Sequence, residues 1–378
     1  MQNKAFLRIL LIILSVTMLL SSCQGGNGAN ADATTDTQAI IETEALTTNA
    51  PEPVIVIPDY TNPLTGLACD EDFSTTRPLA IMLNNLWEAL PQEGISGCDI
   101  LYECLVEGGI TRLMGVVADY DSLGVIGSVR SSRHYYLDLV KNHDAIYVHA
   151  GGSTYAYEEI KARGINNLDG VNMYVPGMFY RDEERLQTMK YEHTLMTTGE
   201  KIAAGIAYKK YRTELSEDYT MKDAFNFVTY GEELILTGDT ADCVYLPYSK
   251  YQHVRLDYNA KNNTYLRYQF EDVAHIDGTT GAQLEFTNVL IIICPSKRIA
   301  GDTYGRIDIT TEGEGEGYYL YGGKYIPIKW SKPTEDSPTT YYTVDGEELT
   351  VNRGKTFISI FPTSEAENID FNYKPVAE

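Results

Sequence analysis

The stretch Ala145-Ile146-Tyr147-Val148-His149-Ala150-Gly151-Gly152-Ser153-Thr154, continuing to Arg163-Gly164, passes from an apolar run through a glycine pair into a helix-like run. Its reading decides the fold. The run ending at His149 has strand character, Ser153 offers the oxygen that a helix N-cap needs, and Gly164 is a helix stop. A second passage repeats this order. Val125-Ile126-Gly127-Ser128-Val129 leads through Arg130-Ser131-Ser132-Arg133 into an amphipathic stretch, His134 to Lys141, for which Ser131 or Ser132 is the expected cap. With Leu79 to Leu83 and Leu113 to Ala118 also reading as strands, two strand-to-helix turns predict an α/β region. Asp99 to Val106 fits either a strand or a helix.

Further along, Tyr180 to Met189 and Thr198 to Tyr211 carry apolar residues at helical spacing, with Thr198 as a cap. Beyond residue 243 the pattern changes to strands separated by Asn262-Asn263, Gly322-Gly323 and Asp345-Gly346, the last a hairpin signal. The run Glu312-Gly313-Glu314-Gly315-Glu316-Gly317 reads as a mobile loop without the spacing of an EF-hand. Tyr265, Tyr268, Tyr318, Tyr319, Tyr321, Tyr325, Tyr341, Tyr342 and Trp330 crowd this half. They are read as half-buried strand residues, with a binding platform as the less favoured alternative. The expectation is an α+β protein: an N-terminal α/β domain with a mixed sheet over residues 53–240, then a smaller β-rich C-terminal domain over residues 241–378.

The start of the chain speaks about location. Lys4 and Arg8 precede the uncharged run Ile9 to Leu20, which is too short to cross a bilayer and fits the core of a signal peptide over residues 1–22. Leu20-Ser21-Ser22-Cys23 resembles a bacterial lipoprotein processing site, with Cys23 as the lipidated residue. Residues 23–52 are rich in Gly, Ala, Thr and Asn and hold no Lys or Arg, so they read as a disordered tether reaching roughly 30 Å. This predicts a lipid-anchored protein on the extracytoplasmic face of the cell membrane. With 30 basic against 53 acidic residues the chain carries a formal charge of −23, which disfavours nucleic acid as a partner.

No motif fixes a reaction. Neither turn matches a phosphate loop or a dinucleotide fingerprint. His149, His134, Asp138, Asp144 and Ser153 lack a nucleophile elbow, and no ligand spacing calls for a metal or cofactor. If Cys23 is lipidated, five cysteines remain, an odd number, so at least one thiol stays unpaired. What the turns do offer is a pair of strand ends, where open α/β sheets bind ligands. Candidate ligand-binding residues there are Arg112, Arg130, Arg133, His149, Gly151, Gly152 and Ser153, with Asp99, Glu103 and Glu107 as supporting carboxylates. Arginine forks suit a carboxylate or phosphate. The competing reading is an internal network in which those arginines pair with those carboxylates. On a strand, carboxylates four residues apart are about 13 Å from each other, too far for a glycosidase pair.

The runs Asn62-Pro63-Leu64-Thr65-Gly66, Arg77-Pro78-Leu79-Ala80-Ile81-Met82, Asp99-Ile100, Tyr102-Glu103, Glu107-Gly108-Gly109-Ile110-Thr111-Arg112, Val129-Arg130-Ser131 and His149-Ala150-Gly151-Gly152-Ser153 together resemble the YerB-like family of bacterial lipoproteins. The sequence departs from that pattern at Gly127-Ser128, where the family usually has Gly-Pro, and at Glu192-His193-Thr194, where Asn more often follows the His. The resemblance implies a two-part extracytoplasmic lipoprotein of unknown biochemical activity. The role expected on this basis is non-enzymatic ligand binding or assembly at the cell envelope. The alternatives are an enzyme of envelope polymer metabolism with an arginine-lined anion site, and a structural partner of another envelope protein.

Overall fold

The computed structural model describes residues 56–219 and 223–375; the expected signal peptide and the whole of the expected tether, Cys23 included, lie outside the described residues. In the first part, β1 (Leu79–Leu83) is buried at every position and pairs antiparallel with β3 (Thr111–Val117), which also pairs with β2 (Ile100–Leu105). β4 (Val125–Gly127) leads by an extended segment to α1 (Tyr136–Lys141), and β5 (Ile146–His149) leads to α2 (Thr154–Ala162) and β6 (Asn167–Asp169). β7 (Tyr180–Arg181), α3 (Glu183–Thr188), β8 (Leu195–Thr198) and α4 (Gly199–Lys209) follow. The second part contributes β9 (Cys243–Pro247), β10 (His253–Asn259), β11 (Thr264–Gln269), β12 (Asn288–Cys294), β13 (Ser296–Arg298), β14 (Ile307–Ile309), β15 (Gly313–Tyr321), β16 (Lys324–Lys332), β17 (Thr340–Thr343) and β18 (Thr356–Pro362).

Eleven strands form one large mixed sheet in the order β16, β15, β12, β18, β2, β3, β1, β5, β6, with β17 and the two-residue strand Asp239–Thr240 both on β16. The strands β12, β18, β2, β1, β5 and β6 run the same way, so their carboxyl ends share one edge. Period-2 alternation divides their side chains between two cores. Leu79, Ile81, Leu101, Ile291 and Phe357 face α4 and a second, five-stranded sheet built on β9, β10 and β11. Ala80, Met82, Tyr102, Leu290 and Ile358 face α1 and α2. Each Leu or Ile so enclosed contributes about 1.5–3 kcal/mol. A mixed sheet with a separate β-rich C-terminal sheet is the fold class expected. The large sheet draws strands from both sides of residue 240.

Local expectations fared unevenly. Asp99 to Val106 resolves as a strand, Ser153 and Thr198 cap their helices through Ala156 N and Lys201 N, and Gly164 takes the positive φ of a helix stop. Three readings need correction. Glu312 to Gly317 is not a mobile loop, since Gly313 to Gly317 begin β15. Glu314 and Glu316 point to solvent, while a Cβ on Gly315 would collide with the Trp330 indole and one on Gly317 with the Ile291 carbonyl. The Glu-Gly alternation is therefore a strand with one crowded face. Tyr180 and Arg181 form a strand, and α3 starts only after Asp182, which caps it through Arg185 N. Neither Ser131 nor Ser132 caps α1, whose N-cap position is Tyr135 without a side-chain cap. The backbone stays extended through this segment because Arg130 N donates to Met82 O at 2.9 Å and Ser132 N to Gly151 O at 2.9 Å.

The aromatic residues of the second part are mostly internal: Tyr265, Tyr319, Tyr321, Trp330 and Tyr341 are buried, and Phe371 covers Tyr318 and Tyr325.

Candidate functional site

The shared carboxyl edge of the large sheet brings Arg112, Arg130 and Arg133 together, with Glu107 shared by Arg112 and Arg133. Arg112 is the second residue of β3, facing the end of β2, while Arg130 and Arg133 sit on the extended segment between β4 and α1. Arg133 Nε donates to Glu107 Oε2 at 2.8 Å, its Nη2 reaches Glu107 Oε1, and its Nη1 donates to the Ser132 carbonyl at 2.7 Å. Arg112 Nη1 donates to the Ser131 carbonyl at 2.8 Å, and its Nη2 lies 3.9 Å from Glu107 Oε1. Arg130 Nη1 donates to the Glu192 carbonyl at 3.1 Å, but its Nε is buried with no hydrogen-bond partner among the described residues. Arg112 and Arg133 are buried and Arg130 is half-buried, at the rim.

The charges record this crowding. Burial pushes the Glu107 carboxyl up, yet the Arg133 hydrogen bond and the charges of Arg133 and Arg112 outweigh it and hold the group at about 2. Burial, then the neighbouring Arg133, brings Arg112 down to about 10. Arg130 is also lowered, chiefly by burial, with repulsion from Arg133 and Arg181 set against the attraction of the Glu192 and Glu107 carboxylates. Arg133, which holds the bidentate bond, is raised by Glu107 in spite of its burial. One of three guanidiniums is therefore well paired, and the other two lean on carbonyls.

The remaining predicted residues divide. Glu103 leaves the cluster: it is fully buried and bonded to Arg267, Thr111 and Asn85. Asp99, at the opposite end of β2, accepts from Ala118 N at 2.8 Å and Asn62 Nδ2 at 3.1 Å. Neither supports the arginines, so that expectation is corrected: Asp99 lies just before β2 and Glu103 within it, and their distance along the strand keeps both from the turn beyond its end that carries Glu107. The second turn is a scaffold. His149 has no exposed surface, with Nδ1 2.9 Å from Gly151 O and Nε2 3.1 Å from Asn167 Oδ1. Asp169 Oδ1 accepts from Gly151 N at 2.7 Å, and Ser153 Oγ is occupied by Ala156 N. Gly151 has a φ of +77°, which its turn requires and an L side chain rarely adopts. Gly152 bridges to Ser132, so the turn holds the arginine-bearing segment in place.

The outer wall of the cluster comes from residues that no sequence motif joins to the arginines. Arg181 Nη1 donates to the Tyr191 carbonyl at 2.6 Å and its guanidinium lies 3.8 Å from the Tyr191 ring centre. His193 Nδ1 is 2.9 Å from Asn84 Nδ2, and burial, then Arg130, lowers its pKa, favouring the neutral ring. No local pattern links Asn84 to His193, 109 residues apart. Among the described residues no group of three or more His, Cys, Asp or Glu could hold a metal ion, and all five described cysteines are free.

Residues 64–212 match the N-terminal domain, and residues 244–358 the C-terminal domain, of a family described as a protein of unknown function, DUF3048. The chain belongs to this family. The YerB protein of Bacillus subtilis (strain 168), which carries a lipoprotein designation, is 28% identical over 319 residues, covering 81% of this chain and 88% of that protein. A crystal structure of YerB from Bacillus subtilis matches with a TM-score of 0.70 at 27% identity, covering 82% of this chain and 98% of the other. Both family domains and the YerB-like fold expected from the motifs are therefore present. The family description assigns no activity. Among the described residues no helix is long and apolar enough to cross a membrane.

Proposed function

We propose that this protein is lipid-anchored through Cys23 on the extracytoplasmic face of the cell membrane and binds an anionic envelope ligand, without transforming it, through Arg112, Arg130 and Arg133. One observation carries the reading: of three clustered guanidiniums, Arg112 and Arg133 share Glu107 as their ion-pair partner, and Arg130 at the rim makes no ion pair among the described residues. Unbalanced like charges near a surface repel each other unless an anion joins them, and guanidinium forks fit carboxylate and phosphate oxygens. Support for binding over catalysis comes from the hydroxyls and imidazole nearby: Ser153 caps α2, Ser132 accepts from the Tyr147 hydroxyl at 2.9 Å, and His149 is sealed.

The test is thermal unfolding of the full chain and of Arg130→Ala against envelope phosphates, glycans and peptidoglycan fragments. A compound that raises the wild-type midpoint and not that of the variant supports the site. A variant that melts well below wild type, with no compound shifting either protein, means that the arginines serve the fold and that a protein partner should be sought.

A further inference from the structure

The turn that carries Glu107 also forms one wall of a groove outside the arginine cluster. Leu105, Val106, Gly108 and Gly109 line one side, and the β13–β14 hairpin lines the other with Lys297, Arg298 and Tyr304, enclosing about 530 Å³. The two features adjoin. His134 Nε2, next in sequence to Arg133, lies 3.0 Å from Asp308 Oδ1 on β14, and Arg306 Nη1 lies 3.4 Å from Thr154 Oγ1 at the start of α2. The hairpin is thus moored to the ends of both helices that follow the arginine-bearing and glycine-bearing turns.

The charge of this groove is unusual for the molecule. In a chain of formal charge −23, its lining among the described residues includes Lys297 and Arg298 and no Asp or Glu. Another open groove, of about 450 Å³, includes Asp99 and Asp119 beside Lys355, and one of about 550 Å³ includes Asp144, Asp218 and Asp336 beside Lys141. Lys297 has only a distant carboxylate, Asp308 at 3.9 Å, and is 75% exposed. Asp302, the other acid of the hairpin, is turned inward, accepting from Tyr304 N and Arg306 N. Tyr304 is 74% exposed, with the Arg306 guanidinium, itself paired with Asp302 at 3.1 Å, 4.5 Å from its ring centre, and it shares the groove with Lys297 and Arg298.

We infer that this groove is a second subsite on the ligand-binding face, continuous with Arg112, Arg130 and Arg133, and that the ligand is a linear phosphate-linked polyanion. The inference rests on the anion-site reading above. A single small anion would be held by the arginine cluster alone. Cations continued along a groove beside an exposed aromatic ring serve a ligand whose charges repeat along a chain and whose linking groups lie against the ring. The acidic remainder of the surface repels such a chain elsewhere and confines it to this track.

The experiment is calorimetric titration of the full chain with inorganic phosphate, pyrophosphate, tripolyphosphate and a longer linear polyphosphate. Wild type is compared with Lys297→Ala/Arg298→Ala, with Arg130→Ala, and with a charge-matched control, Lys261→Ala/Lys374→Ala. The expected result is an affinity that rises about tenfold or more with chain length in wild type and control. The hairpin variant should lose that rise while binding phosphate within about twofold of wild type, and Arg130→Ala should weaken every ligand. A rise that survives in the hairpin variant, or that the control loses equally, overturns the groove as a subsite. Phosphate binding that depends on Arg130 but does not grow with chain length overturns this inference alone. Phosphate binding that is absent, or indifferent to Arg130, removes the site reading as well. Lys297 and Arg298 are exposed and make no side-chain hydrogen bonds among the described residues, so unchanged thermal midpoints check that the hairpin variant is folded.

Discussion

Two arginine sites in this molecule use the same side chains to different ends. Arg267 of β11 and Glu103 of β2 have no exposed side-chain surface, and Arg267 Nη2 donates to Glu103 Oε2 at 2.6 Å. Thr111 and Asn85 complete Glu103, and His275, which Arg267 contacts, bonds to Gln92 at 2.9 Å. Burial and then the Arg267 charge push the His275 pKa far down, so its ring is neutral and the pair balances one against one. At the sheet edge, the buried Arg112 and Arg133 share Glu107 without balance, and Arg130 beside them opens to the rim. A closed, matched pair between two sheets holds them in register; an open, mismatched cluster is a place for another charge to arrive.

That contrast can be broken first at its structural end. Arg267→Ala should lower the unfolding free energy by about 3–5 kcal/mol in equilibrium denaturation, because Glu103 would be left buried and unpaired. Glu103→Gln should cost less, and a loss under about 1 kcal/mol for either would mean that the pair is not a lock between the sheets.

Acid probes the other site. Since Glu107 has its folded pKa lowered to about 2 from 4.5, its contribution is present above about pH 4.5 and is lost as pH falls toward 2. That loss is on the order of 3 kcal/mol, and Glu107→Gln should show a correspondingly shallower decline between those values. The same variant, freeing Arg133 and Arg112 from their competitor, should bind phosphate more tightly, which titration would detect; weaker binding would mean that Glu107 mainly positions the arginines. The smallest stability effect is expected for Arg130→Ala, under about 1 kcal/mol, because its ordered bond is one rim contact with a carbonyl. Its loss should appear in binding instead, and a large drop in midpoint would merge the two sites into one structural class.

How much of this was legible depended on the range of the forces involved. Leu79 to Leu83 could be read as a strand because five consecutive apolar residues need cover on both faces, and Ser153 could be read as a cap because its partner is three residues away. Arg130 and Arg133 were recognisable as neighbours of a strand end. Glu103 was not legible as their non-partner, because its true partner is 164 residues distant. Glu312 to Gly317 was misread for a related reason. Alternating Glu and Gly looks like a loop until Trp330, on the neighbouring strand, is known to fill the space above Gly315.

The place of β18 in the large sheet has a consequence for how the chain comes together. Formed by Thr356–Pro362, it lies between β12 and β2, parallel to both, and joins strands that precede it by as many as 250 or so residues. During synthesis, β2 and β12 emerge long before the segment that separates them. Until it arrives, each presents a bare hydrogen-bonding edge lined with apolar side chains, the condition under which strands pair with the wrong neighbour. This seam of the sheet therefore stays open until β18 arrives, and the slowest folding step should be the insertion of one seven-residue strand.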